Sequence, residues 1–346
     1  MATIYDIARV ANVSKSTVSR VLNNQSNISE EARQRVLDTI KELDYQPNKL
    51  ARALTSSGFD AILVLFSRPS KTVAGNPYFS EILSVVNEYA EQENFDVIIQ
   101  TARNSDEYER KCIDKIENKM VKGVILLSSP MDENFLINLD KYKIPIVVIG
   151  NINGCYRHVY SVDTDNERDS FYLCQYLIKH GHRNIAFLHA PLEYHVSLDR
   201  LNGYKKAMVE SGLEVDSQSV IDCGFTMVGA YEATKKIMAL PIRPTAIFAA
   251  DAIKAIGVYR AIKELELRIP DDISVIGYND EHIEPLLHPL MTGITIPIKK
   301  LGEASVNIMF NHIFERNVSA PYTLVDTSIK EFHSIKPLGN DTTHAS

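Results

Sequence analysis

Lys15, Ser16, Ser19 and Arg20 have the types and spacing to act on a nucleic acid. If KSTVSRVLN is helical, these four lie on one side of it, with Val18, Val21 and Leu22 on the other. Lysine and arginine can donate to guanine O6 and N7, while serine and threonine hydroxyls serve bases or phosphates. A second set follows the ends of short apolar runs: Ser128 and Ser129 after GVILL, Asp163, Asp165 and Asn166 in VDTDN, Asp251 in FAAD, and Asn279 and Asp280 in GYND. Carboxylates, amides and hydroxyls gathered in this way offer the paired acceptors and donors that the hydroxyls of a sugar require. Both sets also admit a plainer reading. The first fits a small helical bundle with solvated charges, and Asp163, Asp165 and Asn166 can simply cap a helix that starts near Glu167.

Catalysis is not suggested, and neither a cofactor nor a metal is expected. The chain lacks G-x-G-x-x-G, P-loop, G-x-S-x-G and H-E-x-x-H motifs, and GFTMVG at 224–229 is not followed by Lys-Ser/Thr. His180 and His182 flank Gly181 in a stretch that reads as a helix end. Cys112, Cys155, Cys174 and Cys223 form no C-x-x-C pair and are expected as buried small apolar residues.

The elements that must position these groups can be read from periodicity. Thr3 and Asp6 fit a capping box opening a helix with Ile7, Ala8, Val10 and Ala11 as its apolar residues. A break at Asn12-Val13 follows, and Ser14 can cap the second helix, giving a helix-turn-helix pattern. A third helix is expected from Ser29, with Val36, Leu37, Ile40 and Leu43 on one face, ending near Tyr45 ahead of Pro47. Next comes PNKLARALTSSG at 47–58, rich in helix formers but too short to hold a helix alone in water.

From residue 60 onward, AILVLF (61–66), DVIIQ (96–100), GVILLS (123–128), IPIVVIG (144–150), NIAFLHA (184–190), TAIFAA (245–250) and ISVIGYN (273–279) alternate with helical segments. That alternation implies parallel α/β sheets with ligands at the strand C-terminal ends. At 346 residues, two or three compact units are expected, and no run approaches the length of a membrane span. Residues 1–58 hold eight Lys/Arg against six Asp/Glu, or +2, which leaves −9 for the rest of a chain totalling −7. Only the head can comfortably face a polyanion.

The run from Asp6 to Asn23 and the run from Tyr45 to Leu54 resemble the DNA-binding head of the lactose-repressor (LacI/GalR) family of bacterial transcriptional regulators. VKGVILLSS, IPIVVIGN, GHRNIAFL and VSLDRLNGYKKA look most like the maltose-type repressors of Gram-positive bacteria within it. The resemblance implies a homodimer that binds double-stranded operator DNA, and an N-terminus with polar residues at once (Thr3, Asp6, Arg9) and no membrane-length run leads to the expectation of a cytoplasmic, nucleoid-associated protein. The resemblance also implies control by a small sugar, with maltose or a maltodextrin favoured. Lys15, Ser16 and Arg20 would then read bases, and Thr17, Ser19 and Asn23 would hold the backbone; Thr3, Tyr5 and Ser14 complete the expected DNA-facing set. Asn48 would cap a hinge helix, Ala51 would allow two copies to approach, and Leu54 would wedge between base steps. Tyr78, Phe79 and Arg200 match the family's effector contacts.

The implied architecture is an all-α helix-turn-helix head (1–46), a hinge and linker (47–59), a two-lobed body like a periplasmic binding protein (60–333) and a loose tail (334–346). Lobe 1 would be about 60–161 with 292–322, and lobe 2 about 162–291 with 323–333. Other roles remain open: a global catabolite regulator working with a phosphorylated carrier protein, or a sugar-binding receptor of transport.

Overall fold

The structure, a computed structural model, describes residues 2–22, 27–45, 58–66, 76–102, 105–130, 132–317 and 320–338. Asn23, Asn48, Ala51 and Leu54 lie outside these. The chain divides into two compact units, 1–59 and 60–346.

In the first unit, α1 (Ile4–Val10), α2 (Lys15–Leu22) and α3 (Glu30–Glu42) enclose Ile7, Ala11, Val18, Val21 and Val36. The capping box is present: the Asp6 N–H donates to Thr3 Oγ1 at 3.4 Å and the Thr3 N–H to Asp6 Oδ2 at 2.9 Å. Ser14 Oγ accepts the Thr17 N–H at 3.0 Å and Ser29 Oγ accepts that of Ala32 at 3.3 Å, so each later helix has one of its first-turn N–H groups satisfied by a cap. Between α1 and α2 the chain turns through Asn12, whose φ of 51° suits a residue with a short polar side chain. Leu37, expected on the apolar face of the third helix, is exposed, as is Val10 of α1. A bundle this small closes over the i, i+4 pair Ile7–Ala11, leaving flanking positions on the outside.

The second unit contains two sheets. Lobe 1 consists of β1 (Ala61–Phe66), β2 (Asp96–Thr101), β3 (Gly123–Leu126), β4 (Ile146–Ile149), β5 (Val159–Asp163) and β11 (Tyr322–Leu324), all parallel, in the order β11-β5-β4-β3-β1-β2. Lobe 2 repeats the plan with β6 (Ile185–His189), β7 (Val220–Asp222), β8 (Ala246–Ala249), β9 (Ser274–Asn279), β10 (Thr292–Thr295) and β12 (Ile329–Lys330), in the order β12-β10-β9-β8-β6-β7, only β12 running antiparallel. Lobe 1 also contains helices α4 (Pro77–Gln92), α5 (Ser105–Glu117) and α6 (Glu133–Asp140), and central strands such as β1 are buried along their whole length, as expected for strands covered on both faces. In lobe 2, Ala186 and Leu188 face α9 (Met227–Met238) and α10 (Ala252–Glu264), while Ile185 and Phe187 face α7 (Asn166–Lys179) and α8 (His195–Glu210).

The chain passes between the sheets three times, after β5, β10 and β11, and α11 (Ile298–Ile313) packs into the core of lobe 1. Pairing therefore moves the expected lobe limits: β5 stays in lobe 1 through Asp163, β10 at 292–295 belongs to lobe 2, and β11 keeps 323 and 324 in lobe 1. Cys155 is exposed, unlike the three other cysteines, because it sits in the loop between β4 and β5. Among the described residues, no helix is long and apolar enough to cross a membrane.

Residues 334–338 are not a loose tail. Ser334 is fully buried; its Oγ donates to the Val275 carbonyl at 2.6 Å and accepts the Thr292 N–H at 2.8 Å. The segment lacks an apolar period because single contacts hold it in place, the Ser334 hydrogen bonds to the sheet and Ile335 packed against the core of lobe 2, rather than a repeating buried face. Ser334→Ala strips a buried N–H of its acceptor, so it should cost about 1–3 kcal/mol. Urea unfolding should show this as a lower midpoint at unchanged slope.

Candidate functional site

On the first unit, α2 presents Ser14, Lys15, Ser16 and Arg20 to solvent, with Thr17 and Ser19 half-buried beside them. Tyr5 of α1 is 65% exposed and accepts a hydrogen bond from Lys15 Nζ at 2.9 Å, with the ammonium 4.4 Å from the ring centre. That hydrogen bond and the lysine charge lower the Tyr5 phenol from its ordinary value. Ser14 and Thr3 spend part of their bonding capacity on capping. What remains exposed is a cationic and hydroxylated surface, suited to phosphates and base edges.

In the second unit, the strand order reverses at β1/β3 in lobe 1 and at β6/β8 in lobe 2, and a crevice forms at the carboxyl ends of strands around such a point. The two crevices share one cleft, about 1090 Å³ of empty space partly open to solvent. Of the sequence-predicted residues, Tyr78, Ser128, Asp163, Asn166, Arg200, Asp251, Asn279 and Asp280 line it. Phe79 does not: it is buried in lobe 1, edge-on to Phe66 at 5.4 Å. Asp165 is also absent from the lining and caps α7, accepting the Arg168 N–H at 3.0 Å. For these two the plain structural role holds.

A connected network forms the cleft wall. The Asn166 amide donates to Asp163 Oδ1 at 3.1 Å and accepts from Arg200 Nε at 2.8 Å, while Arg200 Nη1 donates to the Ala250 carbonyl. The guanidinium lies 3.6 Å over the Tyr278 ring, whose hydroxyl donates to the Asn166 carbonyl at 3.1 Å. Gly203 makes this geometry accessible: a Cβ there would lie 2.1 Å from the Glu167 carbonyl oxygen, so only glycine lets α8 approach α7 closely enough.

Burial, the largest influence on Asp163, pushes its carboxyl up to about 7, against the opposing pull of the Thr164 N–H, the Arg200 charge and the Asn166 amide. Asp280 accepts the His282 N–H at 2.8 Å. Among the described residues, two buried oxygens in the lining have no hydrogen-bond partner: Asn279 Oδ1, on a residue whose amide donates to the Met291 carbonyl, and Ser129 Oγ. Tyr194, backed edge-on by Phe225 at 5.1 Å, adds an aromatic wall. Sequence reading missed this residue, although its place just ahead of α8 was a usable signal. Among the described residues, no group of three or more His, Cys, Asp or Glu could hold a metal.

The Asp163 carboxyl supplies a pH test. Its folded pKa is raised from 3.8 to about 7, so the native protein keeps a proton that the unfolded chain releases. The associated stability is full below the unfolded pKa and is lost as pH rises through the folded one. At about 1.4 kcal/mol per pKa unit, the difference is roughly 4 kcal/mol. Relative to Asp163→Asn, the wild type should therefore lose stability between about pH 4 and pH 8. Denaturant unfolding of both proteins across this range measures it, and a constant difference would exclude a raised carboxyl.

Residues 3–48 match the model of bacterial regulatory proteins, lacI family, and residues 174–334 match that of a periplasmic binding protein-like domain. Catabolite control protein A of Priestia megaterium is 30% identical over 319 residues, covering 92% of this chain and 94% of the relative. Among solved structures, the lac repressor dimer bound to operator and an anti-inducer is similar at TM-score 0.82 and 25% identity, covering 97% of this chain and 99% of that one. The regulator CelR in its complex with cellobiose is similar at TM-score 0.71 and 26% identity, covering 96% and 100%. With a helix-turn-helix head of that family and a relative aligned along nearly its whole length, the chain belongs to the lacI family of bacterial regulatory proteins, as a ligand-controlled DNA-binding repressor and not an enzyme.

Proposed function

We propose that this repressor responds to a small sugar, maltose or a maltodextrin, and binds a near-palindromic operator as a homodimer to control carbohydrate use. The observation that carries the sugar is the cleft lining: Asp163, Asn166, Arg200 and Asp251 converge there with the two unpartnered oxygens of Asn279 and Ser129. Buried polar atoms are almost always satisfied, and ligand hydroxyls would satisfy these while Tyr78 and Tyr194 offer aromatic faces to the C–H faces of a pyranose. The cellobiose complex of a similar regulator supports the same class, and the maltose-type sequence phrases narrow it.

Homodimerisation is supported by β2, an edge strand that exposes Ile99 at 56%, an apolar edge that needs covering. An isologous pair would match two inverted half-sites. Residues 47–59 would serve as the hinge, with Asn48 as cap and Ala51 and Leu54 at the DNA. A second role, as a global catabolite regulator with a phosphorylated carrier protein, is favoured by the likeness to catabolite control protein A. Retention of the repressor on the immobilised phosphorylated carrier, and not on the unphosphorylated form, would support it.

Operator affinity measured by fluorescence anisotropy, with and without maltose and maltotriose, tests the sugar. Coupling of about 1–3 kcal/mol predicts a change of roughly 5- to 150-fold, and unchanged affinity across the panel would eliminate a sugar of this class. Arg20→Ala should weaken operator binding by about 1–3 kcal/mol while barely affecting random DNA. Equal losses on both would reduce Arg20 to a phosphate contact.

A further inference from the structure

Lys254, the third residue of α10, has a side chain wholly removed from water, and its Nζ lies 2.6 Å from Asp251 Oδ2. Asp251 Oδ1 accepts the Lys254 N–H at 2.9 Å, making Asp251 the cap of the helix. Capping requires only one side-chain oxygen, and asparagine or serine serves as well. It therefore accounts for neither the negative charge on Asp251 nor the cation behind it. Taking an ammonium out of water is expensive, and an apolar side chain of the same length is often at least as stable in such a place. The purpose of the pair is on the other side of Asp251, whose side chain remains 36% exposed and lines the cleft.

Among the described residues, three titratable or charged groups interact electrostatically with this carboxylate: Lys254 from its own helix, Arg200 from α8, and the Cys223 thiol after β7, which burial pushes up to about 12 and so keeps neutral. Burial alone would raise the Asp251 carboxyl. The Lys254 charge and hydrogen bonds, assisted by Arg200, outweigh burial and hold it below the ordinary carboxylate range.

We propose that Lys254 is a positioning residue for effector recognition: from inside lobe 2 it holds the Asp251 carboxylate ionised and in one orientation, as an acceptor for a ligand hydroxyl. The role in recognition rests on the cleft being the sugar site; the effect on Asp251 does not. A carboxylate held in this way cannot donate. The ligand must bring a hydrogen-bond donor to this wall, as a sugar hydroxyl does and a phosphate or carboxylate does not.

Protein carrying 13C at aspartate carboxyls, titrated by NMR as wild type and Lys254→Met, tests the proposal, with Asp251→Asn identifying the resonance. In the wild type, Asp251 should titrate below the ordinary aspartate range, and in Lys254→Met its midpoint should rise by about one pH unit or more. The ratio of wild-type to Lys254→Met maltose affinity by calorimetry, in which the titration of Asp163 common to both cancels, should widen by roughly threefold or more as pH falls from about 6 towards about 4, with Lys254→Arg returning the ratio to a constant value. A residue needed only for packing would leave the midpoint unmoved and the ratio constant. An unshifted Asp251 midpoint in folded Lys254→Met overturns the proposal. If that variant does not fold, Lys254→Gln, with a polar end in the same space, is judged by the same midpoint. Failure of the wild type to bind maltose at any pH would remove the sugar assignment, and the NMR midpoint would still decide the role of Lys254.

Discussion

A charge taken out of water must find a partner, and the cleft meets that demand with one line of contacts: Asp163 to Asn166, Asn166 to Arg200, and Arg200 to the Ala250 carbonyl. The line starts on the last residue of β5 in lobe 1 and ends just beyond β8 in lobe 2, so it spans the first crossing between the sheets. Its middle depends on close packing, because Arg200 reaches Asn166 where Gly203 lets α8 rest on the first turn of α7. The Tyr278 ring beneath the guanidinium brings β9 into the same assembly. A loss at any point leaves an uncompensated group in the wall, so the acidic, amide and cationic residues of the cleft form one unit rather than a set of separate contacts.

Topology determines where such a unit can form. Backbone pairing satisfies the strands along their length, and both faces are sealed by helices, so polar side chains collect where the strands end. The two sheets have the same strand order, and each contributes its reversal point. Ser128 and Ser129 follow β3, Asp251 follows β8, and Asn279 and Asp280 close β9. Every residue brought into the cleft owes its place to a strand end or to the first turns of a helix that follows one.

This regularity explains what could be read from the sequence. The long buried strands are runs such as AILVLF and ISVIGYN, and the capping pairs Thr3–Asp6 and Ser14–Thr17 are local, so both were legible. Strands β5, β7 and β10–β12 were not. VYSVD carries serine and aspartate, TGIT carries glycine, and the others are two or three residues long. These pair because neighbouring strands are already in place, a non-local cause that no short window contains. For the same reason the lobe limits were misjudged and 334–338 read as a tail. Within the site, residues after strong strands were found, while Phe79 and Asp165 show the limit: proximity in sequence cannot say which neighbour turns into the core or stays as a cap. Lys254 was invisible because a lysine in a helical stretch reads as solvated until its burial is known.

The two unpartnered oxygens come from different lobes, Ser129 after β3 and Asn279 at the end of β9. This matters for control, because a ligand shifts a conformational equilibrium only through its different affinity for the two states. One that touched a single lobe equally well before and after a change in lobe separation would shift nothing, however tightly it bound. A ligand hydrogen-bonded to both oxygens has its full contact set only while the lobes hold their present spacing. A buried polar atom left unpaired costs about 1–3 kcal/mol, and allosteric coupling commonly amounts to about 1–3 kcal/mol. Pairing these two oxygens across the cleft would thus be worth a free energy of the same order as a typical allosteric coupling.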